Sequence, residues 1–183
     1  VRNIVLFILL FAVGRVLSQE VVIENDSLLL WQADRPLKWE DFKGVPKPVR
    51  SHNAAGTGPF IKYVYSTLEG RPPEFTFFTY FDKCRSWTIT NSSEVLEHEQ
   101  LHFDIAELYT RKIRKRFDSL VFEHITDKDI YFQEKQKIDD EYQECQNNYD
   151  YEVLANYPKF LEWRKRIDKE LEELNEYEYV PEE

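Results

Sequence analysis

Methionine is missing from all 183 residues, the first position included, where valine stands. An alternative start codon leaves that mark and points to bacterial translation; a truncated chain would look the same. Cysteine is nearly missing too, with Cys84 and Cys145 alone. Two thiols are too few for a disulfide framework, and whether they pair once in an exported protein or stay as buried free thiols is open at this level. No cysteine follows the N-terminal apolar run, which argues against a lipoprotein anchor. That run, Ile4 to Val13, is also too short for a permanent transmembrane helix. With Arg2 ahead of it and Leu17 and Ser18 behind, it reads as an export signal over residues 1–18, cut near Ser18; the rival reading is a buried core helix. The expected product is secreted or periplasmic, with no stable membrane anchor. Positive charge is in short supply as well. A net charge of -10 repels phosphates and anionic lipid heads, so nucleic acid is not an expected partner. Asn25 and Asn91 each begin a glycosylation acceptor pattern, which matters only in a eukaryotic secretory route.

The rest of the chain is long enough for one domain, taken here as residues 19–176, followed by an acidic tail over 177–183 expected to fray. "VVIENDSLLLW" predicts two short extended pieces around a polar turn. "RPLKWEDFKGVPKP" predicts an ordered loop with Trp39 and Phe42 turned inward. "FIKYVYSTLEG" and "EFTFFTYFDKCRSWTIT" are aromatic and β-branched, with alternation at Ile61, Tyr63 and Tyr65 and at Phe75, Phe77 and Thr79. They predict an antiparallel sheet with one buried face. From Asn91, whose spacing to Glu94 fits a capping box, the period becomes helical and Val95, Ile105, Tyr109 and Ile113 share a stripe with His98 and His102. A second helix opens at Thr126 and Asp129, with Tyr131, Ile138, Tyr142, Cys145 and Tyr149 inward. A third follows Pro158, with Phe160, Trp163, Ile167, Leu171 and Leu174 on one face. Strands first and helices afterwards give an α+β class: a small antiparallel sheet in the N-terminal half packed on three C-terminal helices.

The chemistry-bearing stretch is "LEHEQLHFDIAE". In a helix, His98 and His102 lie about 40° apart and one turn along the axis, so both imidazoles can reach one ion. Glu99 is rotated aside, towards a water on that ion. This is the HExxH pattern of zincin-like helices: two histidines hold Zn²⁺, water is acidified, and the glutamate takes its proton during attack on a carbonyl and passes it to the leaving amine. In a glutamate-rich chain the pattern can also arise by accident, with histidines that only pack. Catalytic zinc sites commonly use three protein ligands, so a further donor is needed. Asp104 and Glu107 are turned about 160° and 140° away from His102, and Glu94 sits a turn too far along the helix. The third donor is expected from another segment, with His52, Glu123, His124 and Glu152 as candidates.

Over most of the mature chain the sequence resembles the domain of unknown function 922 family, described as predicted secreted zinc-dependent proteases. "LKWEDFKGVP" is similar to that family's Trp-x-Asp-Phe-x-Gly-x-Pro element, "RSW" to its Ser-Trp strand, and "LEHEQLHFDIAELYTRKIR" to its metal-binding helix. The resemblance implies an export signal, zinc at His98 and His102, and Glu99 as catalytic base. The family's Tyr-Asp-x-x-Thr-x-His-Gly element is matched here by "YDYEVLANYP" only at Tyr149 and Asp150. Val153, Ala155 and Asn156 stand where threonine, histidine and glycine are expected, so the family's natural third ligand is absent at Ala155. Two functions follow as expectations: a secreted zinc metallopeptidase acting on protein or peptide substrates, or a non-catalytic exported binding protein that has lost its third ligand. A third is a structural domain whose histidines only pack.

Overall fold

The computed structural model describes residues 21–46, 54–154 and 156–181. The expected export signal, His52 and Ala155 lie outside them. The element order is β1 (Leu28–Leu30), a 3-10 turn at Trp39–Asp41, β2 (Ala55–Gly56), β3 (Pro59–Ser66), β4 (Glu74–Asp82), β5 (Trp87–Thr88), α1 (Ser93–Phe122), α2 (Lys128–Val153), α3 (Tyr157–Glu173) and a final 3-10 turn at Asn175–Tyr177. The class is α+β, a small antiparallel sheet followed by three helices, as the pattern predicts. Among the described residues no helix is long and apolar enough to cross a membrane.

The main sheet has the order β1-β4-β3, and β2 pairs with β5 in a separate two-stranded ribbon. The alternation in β3 and β4 does the expected job: Ile61 faces Thr79, Tyr63 faces Phe77 and Tyr65 faces Phe75 across the ladder. Side chains on one face of a pleated pair meet across the strands and present a common surface. Here that surface meets the helices, with Phe117 of α1 edge-on to both Phe75 and Phe77 at 4.9 and 5.0 Å. The opposite face, expected to be open, is also covered. Leu30, Phe78 and Tyr80 are buried there, with Val21 and Tyr179 packed against them.

That cover corrects the expectation of a frayed tail. Arg114 donates to the Tyr177 carbonyl at 2.7 Å, Arg111 to the Glu178 carboxylate at 2.7 Å, and Tyr179 meets Phe78 edge-on. The anchoring groups belong to α1, which is enclosed all round through its middle instead of along one stripe. Leu101, Phe103, Ile105, Ala106, Leu108 and Tyr109 are all buried, and so are Asp104, Glu107, Thr110 and Arg111. Buried polar groups require partners. Asp104 accepts from Trp31 and Gln100 and pairs with Arg164; Glu107 accepts from Thr79, Arg111 and Arg114. Both carboxylates are consumed in the core, as their helical phase requires.

Both predicted caps are shifted. Ser92, not Asn91, caps α1 by accepting from the Val95 amide, and Asp127, not Thr126, caps α2 by accepting from the Asp129 amide. At each site two adjacent residues have cap-forming side chains, and spacing alone does not choose between them. The inward stripes of α2 and α3 appear as expected, with Ile138 and Cys145 only partly buried. Cys84 and Cys145 are free thiols, the first exposed. Phe42 is buried and Trp39 packs beside it. Their loop is pinned where a side chain cannot fit: the Gly44 amide donates to the Ser86 carbonyl at 2.7 Å, and a Cβ there would meet two carbonyl oxygens at 2.7 Å.

Candidate metal centre

α1 and α2 form an antiparallel hairpin, in which residues equally far from the turn come level. The turn closes in a Schellman arrangement: the Ile125 amide reaches the Leu120 carbonyl, the His124 amide reaches that of Val121, and His124 takes the left-handed conformation at φ 56°. His98 and Asp150 each lie about two dozen residues from that turn, about 35 Å of helix at 1.5 Å per residue. They therefore meet.

His98 Nε2 and His102 Nε2 are 3.1 Å apart, and Asp150 Oδ1 is 2.9 Å from the second and 3.3 Å from the first. Donors about 2.1 Å from one ion, at angles of about 90–110°, stand about 3.0–3.4 Å apart. The three atoms are near enough to hold one metal ion. Their chemistry also calls for a cation, since a carboxylate and two ring nitrogens converge on one point. Burial opposes charge on both groups, but mutual hydrogen bonding outweighs it, so Asp150 is held well below the usual carboxylate range and His102 is raised above an ordinary histidine. The Asp150 side chain remains 61% exposed, so one side of the trio is open to solvent.

Behind the rings, α2 supplies two more contacts. Gln146 Oε1 lies 2.5 Å from His102 Nδ1, and Tyr149 Oη lies 2.9 Å from His98 Nδ1. Tyr149 also stacks on the His98 ring, with centroids 4.7 Å apart. Such outer contacts orient metal-binding imidazoles and fix which nitrogen faces the ion.

The trio opens into a cleft of about 830 Å³, walled on one side by backbone from Ala54 to Pro59 and on the other by the α2–α3 junction. Ser86 supports the first wall: its hydroxyl donates to the Asp82 carbonyl and accepts from the Gly58 amide. The loop and strand elements noted in the sequence thus meet behind this wall, at Gly44 and Ser86. Glu99 lines the same cleft and is only 5% exposed. Burial pushes its carboxyl up, and the neighbouring histidines and Thr57 pull it back only in part. A carboxylate so raised is a stronger base than an exposed one.

Of the third donors expected from the sequence, the three among the described residues are elsewhere. His124 and Glu123 end α1, about 39 Å along the helix from His98 at 1.5 Å per residue, where His124 forms the turn and Glu123 faces Arg116. Glu152 accepts from the Trp163 indole at 3.0 Å, on the α3 side of α2. Asp150 was not among the candidates. Its signal was the hairpin count: two long capped helices joined by a short turn bring "YD" level with "HEQLH". Among known proteins, no protein-family model, curated protein or solved structure matches this chain.

Proposed function

We propose that the protein is a secreted zinc-dependent metallopeptidase of the kind implied by its resemblance to the domain of unknown function 922 family. His98, His102 and Asp150 would hold the ion, and Glu99 would be the general base. The observation that carries this reading is the convergence of two Nε2 atoms and one carboxylate oxygen within 2.9–3.3 Å beside a cleft. Zinc, when bound, supplies Lewis acidity, polarising a carbonyl oxygen and acidifying water to near neutral pH. The chain does the rest. The Glu99 carboxylate takes a proton from the attacking water and delivers it to the leaving amine, and its raised proton affinity suits both transfers. The cleft between the Ala54–Pro59 wall and the α2–α3 junction accommodates an extended peptide. Residues 1–18 would direct export.

The rival reading, a binding protein without catalysis, drew on the missing histidine at position 155. Asp150 would supply a third donor from another position, which speaks against that motive. The same donor set also suits iron(II). Glu99 beside the trio favours zinc, because hydrolysis uses such a base. Metal analysis of the purified protein and peptide hydrolysis beside Glu99→Gln test the reading. Zinc near one equivalent, with hydrolysis reduced about 10²–10⁴-fold in the variant, is expected. Iron in place of zinc, or equal hydrolysis by both proteins, overturns it.

A further inference from the structure

The geometry points to Gln146 and Tyr149 as positioning residues that dictate which nitrogen of each histidine is bare, an inference that builds on the metal-centre reading. The argument starts from atoms whose roles are not in question. A backbone carbonyl oxygen only accepts hydrogen bonds. Gln146 Nε2 lies 3.0 Å from the carbonyl oxygen of His102, which assigns the amide's –NH₂ to that end. The second amide hydrogen is directed to the Tyr142 hydroxyl at 3.1 Å. Oε1 is then turned to His102 Nδ1 at 2.5 Å. An amide oxygen also only accepts, so Nδ1 carries the hydrogen, and in the neutral ring Nε2 is bare.

His98 is set by the same logic through a different side chain. Tyr149 has one hydroxyl hydrogen. Its Oη lies 3.2 Å from the His98 carbonyl oxygen, where it must donate, and 2.9 Å from His98 Nδ1, where it must then accept. Again Nδ1 is the protonated nitrogen. Each histidine is thus read twice by one side chain, once at its carbonyl and once at its ring, and the first contact decides the second. Both partners are neutral, where a carboxylate would draw the Nδ1 hydrogen away and make the ring more anionic. The donor set is therefore two neutral imidazoles and a single carboxylate.

One helix face supplies all of this. Gln146, Tyr149 and Asp150 stand at i, i+3 and i+4 on α2, which places them side by side against α1. α2 thereby carries the third donor together with both groups that aim the other two.

The test reads tautomers and affinity separately. Asp150 Oδ1 lies 2.9–3.3 Å from both Nε2 atoms and, without an ion, competes for their hydrogens, so the tautomers are read in Asp150→Ala. Nitrogen NMR of this ¹⁵N-histidine-labelled full-length variant, metal-free and at alkaline pH, is expected to show the Nδ1–H form at both His98 and His102. Tyr149→Phe, which keeps the ring stack, is expected to release that preference at His98, and Gln146→Leu at His102. Zinc affinity by chelator competition should fall about 10–100-fold in each. Gln146→Glu gives up the donor to the His102 carbonyl but keeps an acceptor facing Nδ1, so it should hold the Nδ1–H form that leucine releases, whereas a residue that only packs would leave the tautomer the same in both variants. An Nε2–H form in Asp150→Ala, or wild-type zinc affinity in both Tyr149→Phe and Gln146→Leu, overturns the inference. Absence of zinc binding by the wild type overturns the metal reading instead, and the tautomer result still decides this one.

Discussion

Replacing Asp150 with asparagine keeps the side chain's shape and removes its charge from a position that is more than half exposed, so the fold should survive the change. The cost falls on the ion. Structural zinc sites with four ligands bind with about 10–16 kcal/mol, so one ligand is worth about 3–4 kcal/mol, or about 10²–10³ in affinity. Thermal unfolding reads this directly. At free zinc of about 100 times the wild-type dissociation constant, binding stabilises the wild type by about 2.7 kcal/mol. For a chain of this length that raises Tm by about 5–11 °C. At the same zinc concentration the variant is at or below half saturation. It gains at most about 0.4 kcal/mol, or about 1–2 °C. Without zinc the two proteins should differ only by loss of the exposed Asp150–His102 pair, about 1 kcal/mol or less. An equal zinc-dependent shift in Asp150→Asn would refute the reasoning, because it would mean that Asp150 does not touch the ion.

Other consequences concern the scaffold. Arg111→Leu leaves Glu107 in the interior, and Glu178 at its edge, short of a partner and should cost about 3–5 kcal/mol in urea unfolding, while leucine tolerated within 1 kcal/mol would show the network to be dispensable. Glu24, which accepts from Arg35 and Lys83, has its pKa lowered from 4.5 to about 2. Because the folded value is the lower one, its contribution is complete above about 4.5 and is lost as pH falls towards about 2. Glu24→Gln should therefore flatten the acid limb of stability against pH in that window, and an unchanged limb would refute the assignment. Phe117→Ala, which opens a hole between α1, α2 and the sheet, should cost about 3–5 kcal/mol by the same urea measurement. A cost below about 1 kcal/mol would show that the site closes over the hole.

Local pattern made the alternating face of β3 and β4 and the inward faces of α2 and α3 legible. Ile61, Tyr63 and Tyr65 share a face with Thr79, Phe77 and Phe75, because a period of two sets the face, while the pairing across the ladder comes from the structure. The pair His98 and His102 was legible for the same kind of reason, one helical turn being a local property. Asp150 was not, because its place beside them depends on two helices folding back over about 35 Å. The partners of Asp104, Glu107, Thr110 and Arg111 were not legible either. A polar residue reads as solvent-facing unless its partners are known, and Trp31, Thr79, Arg164 and Glu178 come from four distant segments. The tail misled for the same reason: its acidic composition suggested fraying, while α1 held the arginines that receive it.

The enclosure of α1 has a consequence for how long an ion would stay. Sheet, helices and tail all pack on α1 between Leu101 and Arg111, so amides there should exchange with heavy water only through a large opening, and His102 is held for as long as that packing lasts. Asp150 sits in the last turn of α2, just ahead of the exposed Tyr151 and Leu154, where opening takes far less free energy. Release of the ion would then be timed by unwinding of that single turn, and a residence time could be lengthened or shortened from the α2 end without touching either histidine.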